Sequence, residues 1–130
     1  MNSISFAIIL ALIEYSVFTV QVGRMRVKHG IQAPATSGHP EFERWFRVQQ
    51  NTLESLVVFI PALVIFGFYV HSKIALVLAL GWIVGRAIYA NGYVQDPAKR
   101  STGATLTFAI NAILLLGALL GVLFVKFVEK

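Results

Sequence analysis

Residues 104–128 read ATLTFAINAILLLGALLGVLFVKFV, and the first charged side chain in that run is Lys126. A helix rising 1.5 Å per residue needs roughly 20 mostly apolar residues to cross a hydrocarbon core about 30 Å thick, so this stretch is long and apolar enough to span a bilayer. Working back along the chain, Ser3 to Val22, Trp45 to Val70 and Lys73 to Ala90 satisfy the same criterion. Composition agrees: the 130 residues are 57% hydrophobic and 13% charged, about half the charged fraction of a soluble domain. The expected fold is all-α: an integral membrane four-helix bundle of up-down topology, forming one domain over residues 1–130. Its helices are expected at about 3–22, 45–70, 73–90 and 104–128, with a connection at 23–44. The start, Met1-Asn2-Ser3, carries no Lys or Arg, and the first apolar run lacks a small-residue cleavage pattern, so the first helix is expected to stay. No internal repeat or low-complexity tract is present. With no cysteine, a disulfide scaffold, a thiolate metal site and a protein thiol nucleophile are excluded, and any sulfur chemistry must come from a substrate.

The net charge of +5 is broken up by hydrophobic runs, which argues against nucleic acid as a partner and for topology as its cause. Arg24, Arg26, Lys28 and Arg44 lie in the first connection, Lys99 and Arg100 in the third, and the second is only His71-Ser72-Lys73. The positive-inside rule places the first and third connections in the cytoplasm and both termini across the membrane, with Lys126 and Lys130 weighing on the other side.

Helix two opens with Arg47-Val48-Gln49-Gln50-Asn51-Thr52-Leu53-Glu54. At about 100° per residue, positions 47, 51 and 54 fall on one stripe with Gln50 beside it. A charge at mid-bilayer costs roughly 3 kcal/mol on insertion scales, so the stripe should face protein or a watery cleft. A plain Arg47–Glu54 salt bridge at a helix end is the bland alternative, and it leaves Asn51 and the glutamines unexplained. Helix three ends with a second stripe, Arg86, Tyr89 and Tyr93. Tyr93 alone would suit an interfacial belt, but Arg86 is a fixed cation one to two turns inside the bilayer. Arg100 alone could be a topogenic charge, and Ser101 or Thr102 a helix cap. A helix start there would also favour an anion. Together with Arg26 and Lys28 these segments form a cationic pocket with one carboxylate and tyrosine hydroxyls. It suits a small zwitterion with more carboxylates than amines: guanidinium groups hold the carboxylates and Glu54 the ammonium.

Glu14, near the middle of helix one, is either neutral or paired with a cation on another helix. His29, His39 and His71 lack metal-ligand spacing and read as loop residues, so no metal is expected. Asn111 reads as an interhelical hydrogen-bonding residue.

These residues resemble the MAPEG family, membrane-associated proteins in eicosanoid and glutathione metabolism. The resemblance covers nearly the whole chain: four spans, Pro-Glu-Phe-Glu-Arg at 40–44, Arg-x-Gln-x-Asn-x-x-Glu at 47–54, and Arg-x-x-Tyr-x-x-x-Tyr at 86–93. Arg100 follows Tyr93 at the spacing of leukotriene-forming members. The resemblance implies a homotrimer that binds glutathione near the cytoplasmic face at subunit interfaces. Arg47, Asn51, Glu54, Arg86, Tyr89 and Tyr93 would hold the tripeptide, with Gln49 and Arg26 contributed by a neighbouring subunit. Arg100 would stabilise the thiolate, and Arg100-Ser101 resembles the Arg-Ser pair of prostaglandin-forming members, where the serine is a candidate donor to sulfur. One position departs: Ser55 stands where leukotriene-forming members have a tyrosine, which alters one ligand contact and the substrate range.

The chemistry of the residues agrees with that role. A thiol of pKa near 8.5 is only about 3% ionised at pH 7; lowering the pKa by ~2 units raises this to about 75%. Arg100 cannot be a general base because its own pKa exceeds ~12, so its contribution would be electrostatic, with water taking the proton. The expected function is a glutathione-dependent transferase or peroxidase acting on a lipophilic electrophile or lipid hydroperoxide that arrives from the membrane lipids. A small proton-coupled multidrug exporter using Glu14 is one alternative, disfavoured by the arginines in helices two and three. A non-catalytic lipid-binding member of the family is another.

Overall fold

The computed structural model describes residues 2–129, so Met1 and the Lys130 charge lie outside the described residues. Four long helices are present: α1 (Asn2–His29), α2 (Pro40–Tyr69), α3 (Ser72–Gln95) and α4 (Ser101–Val128), with a 3-10 turn at Pro97–Arg100 leading into α4. All four are long and apolar enough to cross a membrane, and no strand occurs among the described residues. The all-α membrane bundle is therefore as expected, but every helix is longer than its apolar run.

The extensions have local causes. α1 continues through Gly23 to His29 because Arg, Met and Lys are good helix formers, and Arg26, Lys28 and His29 in its last turn complement the dipole. The connection is thus shorter than the expected 23–44. α2 begins at Pro40, a residue suited to a first helical position; His39 Nδ1 accepts from the Glu41 amide at 3.1 Å, and Glu41 and Glu43 stand in the first turn. At the other end of the bundle His71 caps α3 in the same way, accepting from the Lys73 and Ile74 amides. Two of the three histidines expected in loops are therefore helix caps, and His29 closes α1.

α2 and α3 each pack on both α1 and α4, forming the centre of the bundle. The buried seam of α1 is Ile4, Ala7, Ala11, Phe18 and Val22, with Glu14 half-buried in the gap between Ala11 and Phe18. The main core adds Leu56, Phe59, Leu63, Trp82 and Leu114, and the Phe59 and Trp82 rings stack at 4.3 Å. Large side chains such as Val57, Phe68, Phe108, Leu120 and Phe124 remain exposed, as the outer surface of a bundle solvated by lipid requires. The 30–39 connection and the 3-10 turn lie at the same end, where Arg44 donates to the last carbonyls of α3, Val94 O at 3.1 Å and Gln95 O at 3.2 Å.

Candidate functional site

The polar stripes of α2 and α3 meet at that end. The Arg86 side chain is buried, with 1% of its surface exposed, and its guanidinium donates to Asn51 Oδ1 at 2.8 Å. The Tyr89 ring lies 4.3 Å from the same guanidinium, a cation–π contact, and Tyr93 stacks on Tyr89 at 5.6 Å. On the outside of α2, Arg47 donates to Glu54 Oε1 at 3.4 Å, with both side chains more than half exposed. The simple helix-end ion pair is therefore formed, but alongside a separate pairing of buried Arg86 with half-buried Asn51 that it does not explain.

A cavity of about 510 Å³ opens between α2, α3 and α4, lined by Asn51, Glu54, Ser55, Arg86, Ala104, Thr105, Thr107, Phe108 and Asn111. That size falls within the roughly 300–1,000 Å³ of small-molecule sites. Two close helix crossings shape it. Gly103 of α4 lies against the Tyr89 amide so tightly that any side chain there would collide with backbone, and a Cβ on Gly85 would meet Thr107 Cγ2 at 2.8 Å. Small residues let the two backbones approach, which brings the start of α4 beside the α3 stripe.

At the cavity wall, Ser55 is a junction. Trp82 Nε1 donates to its hydroxyl at 3.0 Å, and Asn111 Nδ2 donates to the hydroxyl at 3.1 Å and to the carbonyl at 3.3 Å. Asn111 is the interhelical hydrogen-bonding residue expected of it. Ser55 thus ties α2 to α3 and α4.

Some expected site residues sit elsewhere. Gln49 Nε2 donates to Thr19 on α1 at 3.0 Å, and Arg26 donates to Ala35 O at 2.7 Å while covering the Phe42 ring at 4.7 Å. Neither lines the cavity of its own chain. Lys28 and His29 both contact Glu41, at 2.8 and 3.0 Å, and so fasten the end of α1 to the start of α2. Arg100 is exposed and donates to Pro97 O at 3.2 Å. Ser101 borders a neighbouring recess with Thr102, Thr105, Leu106 and Ala109, with only Thr105 shared between the two cavities. Neither Ser101 nor Thr102 caps α4. The chain is already helical at Pro97, and Asp96 fills the free N–H end by accepting from the Ala98 amide at 3.0 Å. The expected anion-favouring helix start is therefore occupied by the protein's own carboxylate, and what remains for a ligand is the Arg100 charge.

Sequence reasoning missed Thr105, Thr107 and Phe108 as cavity walls. The spacing of Thr107 four residues before Asn111 was the available signal, since both then face the same side as Ser55. Among the described residues no group of three or more His, Asp or Glu could hold a metal ion.

The profile of the MAPEG family matches residues 4–120. An uncharacterized protein of Synechocystis is 46% identical over 114 residues, covering 88% of this chain and 83% of that protein. Human microsomal glutathione S-transferase 2 is 45% identical over 121 residues, 91% of this chain and 82% of its own length. Guinea-pig leukotriene C4 synthase is 35% identical over 92 residues, 71% of this chain and 61% of its own length. With four apolar helices, polar stripes meeting at one end, and similarity of this extent, the chain belongs to the MAPEG family.

Proposed function

We propose that the protein is a glutathione-dependent membrane transferase that ionises the glutathione thiol and presents it to lipophilic electrophiles. The observation that carries this reading is Arg86, a buried cation bonded to Asn51 at the inner wall of a polar cavity otherwise surrounded by apolar helices. A guanidinium in that position is costly unless an anion uses it. Glutathione has two carboxylates, one ammonium group and a thiol, which matches a site with arginines in excess over Glu54. Similarity to a microsomal glutathione S-transferase supports the same ligand.

In this reading Arg86, Asn51, Arg47, Tyr89 and Tyr93 hold the tripeptide and Glu54 receives its ammonium group. The guanidinium of Arg100, bonded only within its own turn among the described residues, turns toward the sulfur. It stabilises the thiolate electrostatically while water accepts the proton. The thiolate lone pair then forms the new C–S bond as the leaving group departs with its bonding electrons. With a lipid hydroperoxide in place of a carbon electrophile, sulfur takes the terminal oxygen as a sulfenic acid while the O–O bond breaks, water protonates the lipid alkoxide to the alcohol, and a second glutathione thiol displaces the sulfenic oxygen as water to close the disulfide. Arg26 and Gln49, which lie apart from the cavity in one chain, are assigned to the neighbouring subunit of a homotrimer. Ser101 is a secondary candidate for donating to sulfur. The cavity end is assigned to the cytoplasmic side by its excess of Arg and Lys.

The test is conjugation of an aryl halide to glutathione by detergent-purified protein. Conjugate formation that saturates with glutathione is expected. No conjugation and no glutathione binding at millimolar concentration would overturn the proposal.

A further inference from the structure

Glu14 is a half-buried acidic group that the mechanism above leaves without work. Its Oε1 is buried with no hydrogen-bond partner, and across the bundle the Nε of Arg86 is in the same condition. Helix register places the two side chains at one level. Ile4 of α1 and Ala75 of α3 both lie beside Gly67, and Phe18 and Tyr89 share a second cluster. Each pair marks a point where α1 and α3 run side by side, and the interval between the points is the same number of residues along both helices. Glu14, four residues before Phe18, therefore stands level with Gly85 and Arg86. No direct ion pair joins the two among the described residues.

We propose that Glu14 is a positioning residue: the counter-charge, reaching Arg86 Nε through a bridging water, that fixes the guanidinium plane so that its opposite edge holds Asn51 and the ligand. Glu54 cannot fill this role, because it is exposed and engaged by Arg47. A buried guanidinium left with only the neutral Asn51 and an aromatic face would lack a compensating anion whenever the site is empty. Two unpartnered polar atoms of opposite type also make a place that one water can satisfy from both sides. Glu14 would then hold Arg86 ready before glutathione arrives, a role different from the proton-carrying one that an exporter would give it.

This inference rests on glutathione occupying the Arg86 cavity, and two measurements separate the one from the other. The first compares steady-state kinetics of the wild type with Glu14→Leu and the isosteric Glu14→Gln. Glu14→Leu is expected to raise the KM for glutathione by about tenfold with kcat within about threefold, and Glu14→Gln to recover most of the loss. Equal KM in Glu14→Leu and wild type would overturn the role of Glu14 while leaving the glutathione site standing. The second needs no glutathione: thermal unfolding in detergent of Glu14→Leu, Arg86→Leu and the double variant. The double variant is expected to be more stable than the summed losses of the singles, because each single leaves its partner charge buried alone. Recovery of folding in the double variant counts the same way, and additive losses would overturn the pairing.

Discussion

Arg86 and Arg100 are guanidinium groups at the same end of one bundle, built into it in opposite ways. Arg86 is 1% exposed and bonded across to Asn51 of α2, with the Tyr89 ring against it. Arg100 is exposed and bonded only to the carbonyl three residues before it. The difference separates two tasks within one site. In the proposed function the inner region, fixed by packing, selects and orients the ligand, and the outer, exposed region meets the group on which chemistry occurs. The same division holds for Asn51 against Glu54, one half-buried and one exposed, four and seven residues after Arg47 on the same stripe.

Removing the inner charge should break the site as a whole. Arg86→Leu is expected to weaken glutathione binding by at least about a hundredfold, since a charge-assisted contact and the Asn51 pairing are lost together; equilibrium dialysis of detergent-purified protein reads this directly. Removing the outer charge should separate chemistry from binding. Arg100→Ala is expected to leave the dissociation constant within about threefold while lowering the thiolate fraction at pH 7 from about 75% to about 3%, roughly 25-fold. The sign in pH follows: the wild-type rate should fall only below about pH 6.5, whereas the variant should require pH near 8.5 to recover. An equal loss of glutathione binding in Arg86→Leu and Arg100→Ala would erase the distinction between the two regions.

Smaller effects sharpen it. Gly103→Ala forces a Cβ into the Tyr89 backbone and should cost about 1–3 kcal/mol of stability, displacing Arg100 relative to the α3 stripe. Thermal unfolding and thiolate yield should both decline in this variant. Ser55→Ala removes the acceptor of Trp82 and Asn111 and should cost about 1 kcal/mol, with thiolate yield unchanged. A loss of thiolate in Ser55→Ala with unchanged stability would instead make Ser55 a ligand contact.

The spans were legible because bilayer thickness imposes a length and an apolar composition that few other folds share. The Arg47–Asn51–Glu54 and Arg86–Tyr89–Tyr93 stripes were legible because helical spacing puts them on one face and hydrocarbon penalises them elsewhere. Helix ends were not, since outside the hydrocarbon core nothing enforces apolarity: α1 runs on through Arg24, Arg26 and Lys28, and α2 starts at Pro40 on signals of capping and dipole alone. The start of α4 was misplaced because Asp96, five residues ahead of Ser101, supplies the cap. Distances between helices are also beyond the reach of spacing. Whether Glu14 is neutral or paired, and which helix its partner belongs to, depends on the parallel register of α1 and α3, which is set by packing at Gly67 and Phe18. Ser55 was marked as a departure from the family pattern, yet its bonds to Trp82 and Asn111 depend on three helices meeting.

The most direct measurement is the ultraviolet difference spectrum on adding glutathione to the purified protein at neutral pH, with Arg86→Leu and Arg100→Ala alongside. A saturable thiolate band in the wild type, absent from both variants, is the expected result. A flat spectrum in the wild type at saturating glutathione, or an equal band in all three proteins, would contradict a site in which one arginine binds and another ionises.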